Sequence, residues 1–135
     1  MKVYVVGNEL VPEDSMPFRL LSLLRKEFPS IKFEEADPNE NFIPEEDSII
    51  IDTIKGIKKV TLFETLDMFE QSARISPHDY DLLLHLQLLK KLKKLTSITI
   101  IGIPMTMSVK EAGNSCIHLL QRLQTLSIPG RPSTS

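Results

Sequence analysis

The chain has 135 residues, of which 41% are hydrophobic and 25% charged, and this is the size and balance of one globular domain. Its formal net charge of -2 provides no basic face for a phosphate-rich partner, so we expect no nucleic-acid binding. No apolar run approaches the roughly 20 residues of a membrane span, and the apolar stretch after Met1 is too short for a signal peptide, so we expect no membrane insertion.

The first elements of the chain predict a strand followed by a helix. Residues 2–6 are mostly β-branched or aromatic, and Gly7-Asn8 is typical of a turn after a strand. Apolar residues then recur at helical spacing, and Asp14 or Ser15 is the expected N-cap. The apolar positions of this helix are Phe18, Leu20, Leu21, Leu24 and Phe28.

A loop separates the second strand from the central one. Ile31 and Phe33 alternate with polar residues and predict a short strand, whereas the proline-containing segment 37–47 predicts a loop. Residues 48–52 form a continuous apolar run of the kind that a parallel sheet covers on both faces. This run stops at Asp52, so we expect that carboxylate at the end of a strand.

The second half of the chain continues the alternation of strands and helices. A strand is predicted at 60–63, and a leucine-rich helix at 80–95 follows Ser76, the natural N-cap. A β-branched run at 97–103 predicts a further strand, and the last helix extends from about 108 to 126.

This alternation favours the α/β class, with a single-domain, doubly wound and mostly parallel sheet flanked by helices. We assign residues 1–128 to the domain. Residues 129–135 are rich in proline, glycine and serine, and we expect them to be a disordered tail.

Three polar residues occupy positions where such a sheet binds ligands. Asp14 lies in the loop after the first strand, Asp52 ends the central strand, and His78 lies in the first turn of a helix. Two carboxylates and an imidazole form a suitable partial ligand set for a first-row divalent metal. Each residue also has a purely structural interpretation, because Asp14 could cap a helix, Asp52 could anchor a turn, and His78 could be an exposed first-turn residue.

Several segments together resemble the nickel-iron hydrogenase maturation protease family. Residues 6–14 contain a Gly-Asn dipeptide and then an acidic pair that ends at Asp14, like the family's opening signature. Residues 49–52 resemble its central strand with a terminal aspartate, and residues 75–78 resemble its Ser-Pro-His turn. The likeness continues through 95–104, where the family has a strand closed by glycine and proline.

Members of that family remove a short C-terminal extension from the hydrogenase large subunit after nickel has entered its active site. The resemblance therefore implies a nickel-dependent endopeptidase of aspartic type, whose partner is a nickel-iron hydrogenase large-subunit precursor that presents the nickel. Matched by position, the family's three metal ligands correspond to Asp14, Asp52 and His78. Asp14 and Asp52 are also the implied catalytic carboxylates.

The sequence departs from the family in the segment that is thought to receive the substrate. The usual glycine-rich loop after the second strand is replaced by residues 35–40, of which only Asp37 fits the family's motif. We assign Asp37, with Gly7 and Asn8, to substrate binding. The usual Asp-Gly after the acidic pair is also replaced, at 15–16.

Two alternative functions fit part of the pattern. A non-catalytic module of the same fold could bind a metal or a partner without cutting it. A phosphoacceptor receiver domain would explain Glu13, Asp14 and Asp52, but such a domain needs a lysine after its last major strand, where this sequence has 102–104, a Gly-Ile-Pro segment.

Other catalytic nucleophiles receive little support from the sequence. No Gly-x-Ser-x-Gly elbow occurs, and Cys116 falls in the apolar pattern of the last helix, so we expect it in the core. A single cysteine also cannot form an internal disulfide, which favours a reducing, cytoplasmic location. We expect His85 and His118 to be packing or surface residues, and the lysines within 90–94 to form a solvated face.

Overall fold

The structure is a computed structural model that describes residues 1–7, 16–37, 42–73 and 77–126, with the backbone alone at 72, 73, 77–79 and 126. The expected helix caps at Asp14, Ser15 and Ser76 lie outside these ranges. The predicted disordered tail also lies outside them.

The described residues form one sheet and four helices. The strands are β1 (Lys2–Val6), β2 (Lys32–Ala36), β3 (Ile49–Ile54), β4 (Thr61–Phe63) and β5 (Thr99–Pro104). The helices are α1 (Met16–Glu27), α2 (Leu66–Ala73), α3 (Pro77–Lys91) and α4 (Val109–Leu126). Within this described part, no helix is both long enough and apolar enough to cross a membrane.

The strands lie in the order β2-β1-β3-β5-β4, and only β4 among these five is antiparallel to its neighbour. This arrangement confirms the prediction of a mostly parallel α/β sheet. Strand β4 runs antiparallel to β5. Two helices, α2 and α3, therefore connect β4 to β5, and β5 lies parallel to β3.

The sheet separates two hydrophobic cores, since alternate residues of each strand point to opposite faces. One face packs against α1 and α4, and the other packs against α2 and α3. The first core includes Val5, Ile51, Leu20, Leu24 and Cys116, all with no exposed surface. The second includes Val6, Ile50, Phe69, Leu82 and Leu86, also with none.

Strand β3 was expected to end at Asp52, but it continues to Ile54. The reason is the neighbouring strand β5, which pairs with β3 through Ile54 and Pro104. On the other side, β1 pairs with β3 only as far as Val6 and Asp52. Asp52 is therefore the last residue of β3 with a partner strand on both sides.

Helix α2 was not predicted from the sequence. It begins after Thr65, whose hydroxyl accepts a hydrogen bond from the backbone N–H of Met68 at 3.2 Å, so Thr65 is the N-cap. Leu66 and Phe69 are buried one turn apart and attach the helix to the core. The sequence does contain a signal for this helix, namely a threonine that can serve as N-cap followed by two apolar residues one helical turn apart.

Helix α3 begins three residues earlier than predicted, at Pro77, and ends at Lys91 rather than at Leu95. The backbone N–H of Lys94 bonds to the carbonyl of Leu89 at 2.9 Å, and that of Lys93 bonds to the carbonyl of Lys90 at 3.1 Å. Lys93 has a positive φ of 61°, and together with these two hydrogen bonds this makes the end of α3 a Schellman C-cap. The chain then turns so that Leu95 is buried in the core.

Hydrogen bonds between two turns close the edge of the sheet at which β3 and β5 begin, which we call the amino edge. The Thr96 N–H donates to Glu46 Oε1 at 2.8 Å, and the Ser97 hydroxyl donates to Asp47 Oδ1 at 2.9 Å. The Thr96 hydroxyl also donates to Glu46 Oε2, at 2.5 Å. This bond, together with the one from the Thr96 N–H, lowers the pKa of the Glu46 carboxyl below its usual value. The turn before β3 is thereby fixed to the turn before β5.

Candidate functional site

The strand order creates a switch point between β1 and β3. From β1 the chain passes through α1 to β2 on one side, whereas β3 lies on the other side and leads to α2 and α3. These connections cover opposite faces of the sheet. In open α/β sheets, ligands bind in the crevice outside the carboxyl ends of the strands at such a point. We call this side of the sheet the carboxyl edge.

Asp52 lies at the switch point. In the strand register it is directly opposite Val6 of β1 and Gly102 of β5, and it has no exposed surface. Because side chains alternate along a strand, Asp52 is on the same face as Ile50 and Ile54, which is the face that α2 and α3 cover. A buried carboxylate at the crevice of an α/β sheet is an expected feature of a functional site.

The first turn of α3 lies at the same edge as Asp52. The last turn of α3 is at the amino edge, where Lys90 lines a cavity together with Ser97 and Ile98 at the start of β5. The 15 residues of α3 span about 22 Å, which is close to the length of the six-residue strand β5, about 20 Å. The first turn, which contains His78, is therefore at the carboxyl edge, although the side chain of His78 is outside the described part.

Gly7 follows β1 at this edge and leads into residues 8–15. Since Val6 and Asp52 are register partners, Gly7 follows the strand immediately beside the position of the buried carboxylate. It re-enters the described structure at Met16, the first residue of α1. Asn8 and Asp14 are within this segment, so their predicted roles in substrate binding and metal binding fall outside the described residues.

Gly102 allows the strands to pack closely around Asp52. A Cβ atom at this position would lie 2.4 Å from Cδ1 of Ile54 and 2.9 Å from Cε2 of Phe63, both of which are buried. Any side chain here would therefore clash with the core beside Asp52. From the sequence, this glycine was expected only to close a strand, because its close contacts come from residues distant in sequence.

Asp37 is exposed and lies at the outer side of the same edge. It follows β2, which β1 separates from β3, so its backbone is about two strand spacings, or roughly 10 Å, from that of Asp52. It lines an open, polar groove along β2 with Glu34 and Tyr4. The fold thus places Asp37 near the candidate site but not in contact with Asp52.

The remaining candidate nucleophile and histidines have structural positions, as predicted. Cys116 is fully buried in the core, and burial raises the pKa of its thiol to about 12, so a reactive thiolate does not form near neutral pH. The ring of His85 stacks on Phe42 at 6.0 Å between centroids, and its Nε2 contacts the Phe42 carbonyl oxygen. His118 is exposed on α4, on the opposite side of the sheet.

Solved structures of two endopeptidases share the fold of this chain. HybD, the hydrogenase maturating endopeptidase from E. coli, matches with a TM-score of 0.60 and 19% identity over 96% of this chain and 94% of that one. An endopeptidase from Escherichia coli, solved in solution, matches with a TM-score of 0.56 and 18% identity over 94% and 91%. This chain has the fold of a hydrogenase maturation endopeptidase.

An uncharacterized protein from Wolinella succinogenes also has this fold, with a TM-score of 0.56 and 18% identity over 93% of this chain and 94% of that one. No family model and no curated protein matches the sequence. The likeness is therefore one of the fold, over nearly the whole chain.

Within this endopeptidase fold, Asp52 is the predicted metal ligand whose side chain is described. Among the side chains that the structure describes, no three from histidine, cysteine, aspartate and glutamate are grouped closely enough to hold a metal ion. The other two predicted ligands, Asp14 and His78, lie beyond that set. The chemistry of the donors fits nickel, because carboxylate and imidazole groups both bind first-row divalent metals.

Proposed function

We propose that the chain is a nickel-dependent processing endopeptidase that removes the C-terminal extension of a nickel-iron hydrogenase large-subunit precursor. The observation that carries the proposal is the fully buried carboxylate of Asp52 at the switch point of a fold shared with HybD. The first turn of α3 and the segment after β1 begin at the same edge of the sheet. This edge can therefore gather groups from three separate parts of the chain.

In this proposal, Asp14, Asp52 and His78 bind nickel that the substrate presents. Nickel is thus part of the substrate, and the protein tests whether the precursor has been loaded. A three-residue ligand set leaves coordination positions for groups of the precursor, so an unloaded precursor would lack the atom that positions it. This provides a physical reason for processing only after metal insertion.

Asp14 and Asp52 are also the proposed catalytic carboxylates of an aspartic-type reaction. Hydrolysis of a peptide bond requires a group that accepts a proton from the attacking water and a donor for the leaving amine. We assign these two roles to Asp14 and Asp52.

Gly7, Asn8 and Asp37 are proposed to contact the substrate chain, and the reaction is proposed to occur in the cytoplasm. Gly7 leaves the sheet beside the Asp52 register position, and Asp37 is exposed at the end of the neighbouring β2. A segment of the precursor that crosses this edge would pass both positions.

The decisive experiment compares nickel-loaded and nickel-free large-subunit precursor, each incubated with the protein, and follows the loss of the C-terminal extension by mass spectrometry. We expect cleavage of the loaded precursor alone. An Asp52→Asn variant should bind the precursor but not process it, and a thermal melt should accompany the assay because Asp52 is buried.

Binding of the loaded precursor without cleavage would contradict the proposed endopeptidase activity and favour the non-catalytic module. That alternative has one feature in its favour, since the family's glycine-rich loop is replaced at 35–40. Cleavage by Asp52→Asn at the normal rate would contradict the assigned site instead.

A further inference from the structure

A turn that contains three lysines connects β3 to β4 at the carboxyl edge. It consists of residues 55–60, Lys-Gly-Ile-Lys-Lys-Val, and we call it the lysine turn. The turn passes the end of β5, because β5 lies between β3 and β4 in the sheet. The side chains of Lys55, Lys58 and Lys59 are exposed. Positive charge is therefore concentrated at this edge, on the β4 side of Asp52.

Both faces of the sheet hold the lysine turn in place. Ile57 packs against the core that α2 and α3 cover, and Val60 packs against the core that α1 and α4 cover. The Thr61 hydroxyl donates a hydrogen bond to the backbone carbonyl of Lys59 at 2.9 Å. Lys58 and Lys59 thus lie between two anchored residues. Their backbone is fixed relative to the sheet, while their side chains are exposed to solvent.

The charges of Lys58 and Lys59 are not neutralised within the described part of the chain, where neither residue forms an ion pair. Lys110 and Glu111, in the first turn of α4 at the same edge, are of opposite sign and offset one another. The whole chain has a formal net charge of -2, so this local excess is not a property of a generally basic protein. A partner that covers the two lysines must supply negative charge to match them.

The other end of the carboxyl edge is acidic. Glu35 and Asp37 are exposed at the end of β2. Because β2 and β4 are the two outer strands of the sheet, Asp52 lies between an acidic end and a basic end. A segment that crosses this edge therefore meets opposite charges on the two sides of Asp52, and this difference favours one direction of binding.

The lysine turn is close enough to Asp52 to contact a substrate segment that is cut there. Lys55 follows Asp52 by three residues, or about 10 Å of extended chain. Thr61, at the start of β4, is two strand spacings from Asp52, which is also about 10 Å. An extended peptide covers such a distance in about three residues. Groups that contact the Lys58-Lys59 pair should therefore lie within about five residues of the bond that is cut.

We infer that the lysine turn binds acidic side chains of the precursor that lie within about five residues of the cleaved bond. The inference rests on the proposed function and adds the chemistry of the substrate segment, which carries carboxylates on one side of that bond. Ion pairs of this exposed kind act on recognition, so they should change the affinity for the precursor and leave the chemical step unchanged.

Reversal of both charges tests the inference in the processing assay. Lys58→Glu/Lys59→Glu should raise the KM for nickel-loaded precursor about tenfold and leave kcat within about twofold, because the lost ion pairs hold substrate and transition state equally. Raising the salt concentration from about 50 to about 500 mM should also raise the KM of the natural chain but not that of the variant. Lys58→Arg/Lys59→Arg should retain the natural KM. An unchanged KM in the charge-reversed variant would overturn the inference.

Lys91→Glu/Lys94→Glu is the matched control. It makes the same change in net charge at two exposed positions of the amino edge. Its KM should equal that of the natural chain. A rise in KM as large as that of the lysine-turn variant would show a general effect of net charge and would overturn the inference.

A matching change in the precursor tests which groups the lysine turn contacts. A precursor whose aspartates and glutamates within about five residues of the cleaved bond are replaced by lysine should be processed better by Lys58→Glu/Lys59→Glu than by the natural chain. Absence of acidic residues from that part of the precursor, or of this rescue, would overturn the inference.

Failure of the proposed function has a different signature. A loaded precursor that binds but is not cut would contradict the endopeptidase activity. The same variants then test the lysine turn by their dissociation constants, with the same expected weakening of about tenfold. A precursor that does not bind at all would overturn both the function and the inference.

Discussion

The two edges of the sheet differ in what their polar groups do. At the amino edge, exposed side chains of one turn bond to the next turn, as Glu46 does to Thr96 and Asp47 does to Ser97. At the carboxyl edge, the central strand instead presents the fully buried Asp52. One edge uses polar groups to connect strands in register, and the other buries a carboxylate at a crevice.

This contrast teaches where function is expected in such a fold. Exposed hydrogen bonds between turns contribute modestly to stability, because water competes for the same groups. A buried carboxylate costs stability unless it is well accommodated, so its presence requires another reason. Variants at the carboxyl edge should therefore change activity most, and variants at the amino edge should change stability alone.

The largest effect is expected for replacement of a proposed ligand. Asp14→Asn and His78→Ala should each reduce processing of nickel-loaded precursor by about 100-fold or more, because loss of a ligand misplaces the scissile bond. Both should remain folded by thermal melt. Asp67→Asn and His118→Ala, at exposed positions away from this edge, are matched controls that should cleave normally. Normal cleavage by both ligand variants would refute the site.

The next effect concerns pH, because an imidazole must be neutral to bind a metal. With an ordinary histidine pKa of about 6.5, lowering the pH from about 7.5 to about 5.5 should weaken nickel binding about tenfold. Calorimetric titration of the protein with nickel alone, at each pH, measures this affinity. His78→Ala should bind more weakly and show a smaller loss over the same range. An affinity that is constant in the natural chain would show that His78 is not a ligand.

A smaller effect, on stability, is expected for Gly102→Ala. The added methyl group would lie within 2.4 Å of Ile54, which is fully buried and cannot move away, so we expect a loss of about 1–3 kcal/mol. Gly113→Ala in α4 is the control. Its methyl group would meet Leu23, which is 38% exposed and free to rotate, so denaturant unfolding should show little loss or a gain. Equal losses in both variants would contradict this account.

The smallest effect is expected at the amino edge. The pKa of Glu46 is lower in the folded chain than its ordinary value, so its bonds to Thr96 stabilise the fold above about pH 4.3 and are lost as the pH falls through the lower, folded-state value. Melting temperatures of the natural chain and Glu46→Gln should therefore differ near neutral pH and converge in acid, while processing is unchanged. A difference in melting temperature that grows in acid would contradict the stabilising role of the Glu46 carboxylate.

The buried central strand and the start of the last helix could be predicted from the sequence more readily than the limits of some elements. The run at 48–52 predicted a buried central strand, and β3 is buried throughout. Ser108 predicted the start of the last helix, and its hydroxyl accepts a bond from the Glu111 N–H at 3.1 Å. These features depend on local apolar patterns and caps, which are visible in a single segment.

The predicted end of α3 was wrong, because the local apolar spacing continues to Leu95 after the helix has stopped. The Schellman turn places Lys93 in a left-handed conformation that the residue type does not favour, so nothing in the sequence marks it. The turn is maintained because it buries Leu95. Tertiary packing here overrides the local pattern.

The sequence by itself determined the α/β class, the buried central strand and the core position of Cys116, because each follows from the apolar pattern of one segment. Tertiary structure alone decided that Asp52 lies between Val6 and Gly102, and that α3 begins at the same edge. It also decided which leucines of α3 remain exposed. These facts depend on strand order and on the direction of β4, and contacts between segments distant in sequence fix both.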